Sequence, residues 1–473
     1  MKVKFADVEE EVVTREEFPI EAALATLEDE VITVLGYGSQ GPGQAQNLRD
    51  NGFNVIVGQR EGTASWDKAI SDGWIPGETL FPIVEAAKRG TIISYLLSDA
   101  SQPLIWPDIK EHVDGKTLYV SHGLPIHFNE LTGIAPSEDT DIIMVAPKGA
   151  GASVRVNYLD GSGINASYAV YQDASGHALD TTLAMGIGIG AGYLFRTTCE
   201  DEVVSDHTGE RAILIGELRA LAESAYDSLR DKEGLSPEVA FMKSSEQLTQ
   251  VILPSIGDGG SWGIYSQAQV AGELQTVLTY QKAVREAVTP LMKELYQSCK
   301  EGTEAKISLE SNSKPDYREK LNAELDAIDA SEMWTVGKEM RETIEDRTYG
   351  GKITNFALAG AVLGAMEAQY QVLIDHGHKP SEAANETIEE TTESLNQFYQ
   401  QSGISELIRV CSTTAQRGAL DWGPRFKEKI APVFIDLEKN YENGPSYFTS
   451  NETVTTPNMW DVMETVRSLR PGN

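Results

Sequence analysis

Asp206 and Glu210 stand four residues apart in "EVVSDHTGERAILIGEL" (202–218), a run whose pattern predicts a helix. That spacing puts both carboxylates on one helical face, with Cβ atoms about 6 Å apart, where like charges repel. A cation between them would reverse the sign of that interaction. Abundance offers a plainer explanation, because the chain holds 72 Asp+Glu against 39 Lys+Arg and carries a formal charge of −33. An acidic pair on one face is unremarkable in such a chain, so the pair needs a second observation.

An internal repeat in the C-terminal half supplies it. "SAYDSLRDKEGLSPEVAF" (224–241) recurs as "AQYQVLIDHGHKPSEAA" (368–384), "VTPLMKEL" (288–295) as "IAPVFIDL" (430–437), and "MWTVGKEMR" (333–341) as "MWDVMETVR" (459–467), in the same order. The second copy carries its own acidic pair, Glu386 and Glu390, in "HKPSEAANETIEETTESL". In register, Glu386 and Glu390 fall on Lys243 and Gln247, whereas Asp206 and Glu210 fall on Gly350 and Thr354. Each copy keeps one pair and has lost the other, as expected if an ancestral two-fold dimer had two equivalent sites and fusion let one decay. The surviving site would bring Asp206 and Glu210 against Glu386 and Glu390. Four facing carboxylates cannot all ionise without cations, and two Mg²⁺ about 3.5–4 Å apart suit such a donor set. No Cys/His cluster in the sequence competes for zinc.

A second motif precedes this region. "VITVLGYGSQGPGQAQNLRDNG" runs from an apolar strand through Gly36-x-Gly38-x-x-Gly41 into a helix, the context a dinucleotide fingerprint requires. The loop Gly36, Tyr37, Gly38, Ser39, Gln40 and Gly41 would cradle a pyrophosphate. At the end of the next strand, "NVIVGQREGTASW" offers Arg60 and Ser65 rather than a terminal acid, which suits the 2′-phosphate of NADP(H). Glu61 is the opposing charge and could equally pair with Arg60.

Six β-rich runs alternate with helical segments such as Gln44–Asn51 and Asp67–Asp72 between residue 31 and about 198, predicting a parallel sheet covered by helices on both faces. Beyond Cys199 helical periodicity takes over. The acidity argues against nucleic acid or an anionic membrane as partner, and no apolar run approaches the ~20 residues of a membrane span. Three separated cysteines read as free thiols in a reducing compartment. The acidic N-terminus has neither a signal core nor the character of a transit peptide. The expectation is a cytoplasmic protein, with a mature organellar form left open.

Taken in order, "VLGYGSQGPGQAQNLRDNG", "VGQREGTASW", "SHGLPIHF", "VAPKGAG", "SDHTGE", "NETIEE" and "CSTTAQRGALDW" resemble ketol-acid reductoisomerase (acetohydroxy acid isomeroreductase) from about residue 5 to 470. The tandem repeat resembles its long, class II form. The resemblance implies an α/β Rossmann-type NADPH-binding domain (1–198), followed by an all-α region of two duplicated, knotted helical domains (199–345 and 346–473). It implies Mg²⁺-dependent alkyl migration of 2-acetolactate or 2-aceto-2-hydroxybutyrate, then NADPH reduction to the 2,3-dihydroxy acid, serving valine, leucine and isoleucine synthesis. Asp206 would bridge two Mg²⁺, Glu210 would bind one, and Glu386 and Glu390 would complete the shells. Ser412 would bind the substrate carboxylate, His122 would border the reacting oxygens, Lys148 the metals, and Ser98 the nicotinamide.

On spacing alone, His122 reads equally as a packed histidine, Lys148 as a solvated strand end, and Ser412 as a helix cap. His127, His207, His376 and His378 read as surface or packing residues. His207 departs from the family pattern, where an apolar residue is more usual, and would add a titrating imidazole beside the cluster. A β-hydroxyacid dehydrogenase, with a Rossmann domain, a helical domain and no metal, is the rival the acidic pairs speak against. A small acetohydroxy acid is thus the expected partner; the internal duplication removes the need for a dimer and leaves homo-oligomers open.

Overall fold

The computed structural model describes residues 1–344, 347, 349–440 and 458–471. Ten strands form one sheet: β1 (Lys2–Phe5), β2 (Val8–Thr14), β3 (Ile32–Leu35), β4 (Val55–Gly58), β5 (Leu80–Phe81), β6 (Ile92–Tyr95), β7 (Thr117–Val120), β8 (Asp141–Pro147), β9 (Ile164–Gln172) and β10 (Ala191–Arg196). Their spatial order is β1-β2-β10-β9-β8-β7-β6-β3-β4-β5. The run from β5 to β8 is parallel throughout. These central strands are near-continuous apolar runs, buried on both faces, as covered parallel sheets require.

The all-parallel expectation is corrected at the other edge. β8 pairs antiparallel with β9, β10 with β2, and β2 with β1, so the sheet is mixed. Only Ala6 and Asp7 separate β1 from β2, a connection that permits an antiparallel pair alone. The segment "VEEEVVT" hides its strand character behind three consecutive acids. The predicted helices overlap Gln40–Asp50 and Ala64–Ser71, each of which begins a few residues earlier and ends one residue earlier than expected.

From Cys199 onward every regular element among the described residues is helical. Helix Gly216–Asp231 of the first copy packs along Thr413–Asn440 of the second, and Phe356–Asp375 of the second packs along Leu274–Lys300 of the first. Each copy thus completes the other's core. Small residues in "FALAGAVLGA" permit this approach: a Cβ on Gly364 would stand 2.9 Å from the Gln281 carbonyl carbon and 3.1 Å from the Arg285 nitrogen. Phe356–Asp375 alone among the described helices has the length and apolarity of a membrane span, yet 83% of that window is buried in protein. The boundary placed between copies at 345/346 falls on residues outside those described.

Candidate active site and metal centre

Helix Cys199–Arg211 begins at Thr198, whose hydroxyl accepts from the Asp201 N–H at 3.0 Å, with Glu200, Asp201 and Glu202 in its first turn. Acids there complement the helix dipole. Glu210 lies in the last turn, where a carboxylate opposes the dipole as well as Asp206, and the helix stops at Ala212. Both local effects disfavour an ionised Glu210.

The second pair sits on a π-helix, Asn385–Ser394. The hydroxyls of Thr391 and Thr392 donate to the carbonyls of Thr387 and Ile388, four residues back, satisfying acceptors that an α-helix would bond to backbone N–H. The widened turn presents two acidic faces. Glu389 and Glu393 meet arginines: Arg467 lies 3.0 Å and Arg470 3.1 Å from Glu389, and Arg470 3.3 Å from Glu393. Glu386 and Glu390 instead face Asp206 and Glu210 across the site. Glu386 is held by Lys148, which also lies 3.6 Å from Glu202.

Electrostatics separates these faces. Burial, then repulsion from Asp206, pushes the Glu210 carboxyl well above the ordinary range; burial, then Glu386 and Asp206, does the same to Glu390. One oxygen each of Glu210, Glu386 and Glu390 is buried without a hydrogen-bond partner. Arg211, 3.7 Å from Glu210, is committed to Glu304 at 2.9 Å. Buried carboxylates with orphaned oxygens, whose neighbouring Arg211 is committed elsewhere, fit a hard, oxygen-seeking divalent cation such as Mg²⁺.

Glu202, one step of four before Asp206, completes a stripe of Glu202, Asp206 and Glu210. Sequence reasoning missed it, although the same spacing could have found it. Burial would raise Glu202, but His122, Lys148 and the Gly123 N–H (2.6 Å) hold it at about 2. Burial likewise opposes protonation of His122, yet Glu202 at 3.1 Å and Asp206 at 3.6 Å outweigh it and raise the imidazole to about 10. Lys148 is desolvated, and Glu386 and Glu202 keep it protonated. The solvated reading of Lys148 is therefore excluded: the side chain is 2% exposed.

His207 corrects another expectation. It is fully buried, and desolvation, Arg211 and His122 hold it well below its usual value, so it stays neutral rather than titrating beside the cluster.

A cavity of about 460 Å³ joins this cluster to the glycine loop. Gly38, Ser39, Gln40, Ser65 and Ser98 line it with His122, Asp206, Glu210, Glu390 and Ser412. Gly36 has φ +103°, and a Cβ there would stand 2.7 Å from the Leu96 carbonyl oxygen and the Leu97 nitrogen, so the turn demands glycine. Gly38 faces open space, leaving room for a pyrophosphate. Tyr37 departs from its expected place: it is buried, donating to Asp72 at 2.8 Å and accepting from Trp74 at 2.9 Å. Arg60 is exposed beyond the cavity wall and makes no ion pair, with Glu61 or otherwise, among the described residues. Ser412 caps helix Thr413–Asn440 by accepting from the Ala415 N–H at 3.0 Å, which leaves its own O–H to donate into the cavity. Asp99, Arg318 and Arg409 also line the cavity and carried no sequence signal.

Family models match nearly the whole chain: an acetohydroxy acid isomeroreductase NADPH-binding domain at residues 26–194, and a ketol-acid reductoisomerase C-terminal domain twice, at 199–346 and 355–471. The chain belongs to the ketol-acid reductoisomerase family. Branched-chain amino acid biosynthesis is this family's known role, and the chain is an oxidoreductase with a nicotinamide-nucleotide-binding domain. It is 51% identical over 340 residues to the ketol-acid reductoisomerase (NAD(+)) of Desulfosudis oleivorans, covering 72% of this chain and 96% of that protein. The mitochondrial ketol-acid reductoisomerase of Saccharomyces cerevisiae is 45% identical over 342 residues, 72% of this chain and 86% of its own length. A solved NADH-preferring ketol-acid reductoisomerase from an uncultured archaeon superposes with TM-score 0.59 at 30% identity, covering 71% of this chain and all of that one.

Proposed function

We propose that this site isomerises an acetohydroxy acid such as 2-acetolactate and reduces the product to a 2,3-dihydroxy acid, with two Mg²⁺ on Asp206, Glu210, Glu386 and Glu390 and NADPH in the glycine-loop crevice. The observation that carries this reading is the convergence of four acids from two distant segments, three with an orphaned oxygen, with Asp206, Glu210 and Glu390 lining the cavity and Glu386 buried behind its wall. When bound, Mg²⁺ supplies Lewis acidity at the substrate oxygens and NADPH supplies hydride.

The chain's own groups do the remaining work. Lys148 holds Glu386 in place and neutralises part of the acidic charge. Glu202 accepts from His122 Nδ1 and the Gly123 N–H, orienting the imidazole at the cavity wall. Ser412 donates its O–H to the substrate carboxylate. Burial of the cluster excludes water and strengthens each of these interactions.

The preference for NADPH rests on Arg60, exposed and unpaired among the described residues, and on Ser65 in the cavity wall. Thr63 shapes that loop, donating to the Arg60 carbonyl at 2.8 Å. Three structural units, 1–198, 199–345 and 346–473, are supported by the spans of the family matches. Three free cysteines favour a reducing compartment such as the cytoplasm, while the yeast relative is named mitochondrial.

Oxidation of NADPH and of NADH with 2-acetolactate, with and without Mg²⁺, tests the reading. Turnover that requires Mg²⁺ and favours NADPH is expected. Turnover indifferent to Mg²⁺ overturns the metal assignment, and a preference for NADH overturns the role given to Arg60.

A further inference from the structure

Beside the carboxylates stands a donor set of different chemistry. His122, Asp206 and His207 each offer one ligand atom, all within 4.8 Å of one another. The Nε2 atoms of His122 and His207 face each other at 3.3 Å, so a shared proton or a cation must lie between them. Two nitrogens bound to one tetrahedral ion at Zn–N distances of about 2.0–2.1 Å stand about 3.3–3.4 Å apart. The observed separation needs almost no movement to meet that geometry.

A second observation points the same way. His122 Nδ1 is engaged by Glu202 at 3.1 Å, which commits that nitrogen to the carboxylate and turns Nε2 towards His207. Carboxylate–histidine pairs of this kind orient imidazole ligands in metal sites. Mg²⁺ has little use for imidazole, whereas two imidazoles and a carboxylate suit Zn²⁺ and its borderline-soft neighbours.

We propose that His122, Asp206 and His207 form a site for a borderline-soft divalent ion such as Zn²⁺, which shares Asp206 with the magnesium pair and therefore competes with it. Binding displaces to solvent the proton held between the two Nε2 atoms, and no other bond changes. The competition rests on the magnesium reading; the zinc site does not. His207, which the proposed reaction leaves unused, gives this chain a ligand that an apolar residue at that position could not.

Calorimetric titration of Zn²⁺ into the metal-free full chain tests this, alongside Mg²⁺-activated NADPH oxidation at rising Zn²⁺. The wild type should bind one Zn²⁺ at this site, and Mg²⁺ should relieve the inhibition. His207→Leu should weaken Zn²⁺ binding and raise the inhibitory concentration by roughly 10-fold or more. His207→Gln should do the same if the leucine variant fails to fold. Co²⁺ should give intense visible bands of a tetrahedral, nitrogen-ligated ion in the wild type and lose them in either variant. Unchanged Zn²⁺ affinity in both variants, or no binding to the wild type, overturns the site. Absence of Mg²⁺ activation in the wild type would sink the magnesium reading separately, leaving the zinc titration to stand on its own.

Discussion

The two copies of the helical unit differ most where their chemistry differs. In the second copy a π-helix presents Glu386 and Glu390 to Asp206 and Glu210; the first copy keeps the widened helix, over Met242–Glu246 and Leu248–Ile252, but presents Lys243 and Gln247. Opposite them, in the segment in register with the Cys199–Arg211 helix, the described residues from Ile344 to Asn355 hold only the short turn Tyr349–Gly351. Gln247 fills the vacated space, accepting from the Thr354 N–H at 2.8 Å and donating to the Lys352 carbonyl at 3.3 Å. The other face of both π-helices is preserved. Glu246 pairs with Arg341 at 2.8 Å just as Glu389 pairs with Arg467 at 3.0 Å. The arginine–glutamate pair is thus common to both copies, whereas the carboxylates with an orphaned oxygen that face Asp206 and Glu210 occur in one.

That contrast can be broken at four points. Glu390→Gln should reduce Mg²⁺-dependent turnover by about 10²-fold or more while leaving NADPH affinity nearly unchanged, as steady-state rates and a fluorescence titration would show. Arg341→Met removes the nearer of two arginines from buried Glu246 on the structural face and leaves Arg347 at 3.6 Å. It should cost about 2 kcal/mol in denaturant unfolding, with Mg²⁺ activation intact.

Glu217 marks a further asymmetry, since its counterpart in the second copy is Ala361. Both of its oxygens are buried without hydrogen bonds, and desolvation pushes the carboxyl up to about 8. The folded state then binds more protons than the unfolded one between the ordinary carboxyl range and pH 8, so this group's contribution to stability falls as pH rises through that window. Glu217→Gln should stabilise the chain by about 1–2 kcal/mol at pH 8 and by little at pH 5, read as the difference in melting temperature between the two. Gln247→Ala, on the decayed face, should cost about 1 kcal/mol of stability for its lost hydrogen bonds and leave turnover unaltered.

Much of this arrangement was legible in the sequence because it is local or repeated. The strand–glycine–helix order located the crevice, and the complementary loss of acids between copies pointed to the buried carboxylate face before any distance was known. What escaped was set by three-dimensional company. Tyr37 lies within the glycine loop yet turns to Asp72 and Trp74, because its ring is packed into the core. Lys148 reads as a strand-end lysine until Glu386, far along the chain, is folded against it. The strand β2 is disguised by three acids, of which Glu10 finds its partner, Ser381, in the distant second copy. His207 sits in a stretch that reads as an ordinary helix, and only burial against His122 and Arg211 makes it neutral and a neighbour of the cluster.

The central claim is that one metal site survives from two. Counting Mg²⁺ by calorimetry on the metal-free full chain addresses it directly, with Glu390→Gln and Gln247→Ala as companions. The account predicts two Mg²⁺ per wild-type chain, an unchanged count in Gln247→Ala, and loss of tight binding in Glu390→Gln. Four ions per chain, or tight binding that survives Glu390→Gln, would contradict it.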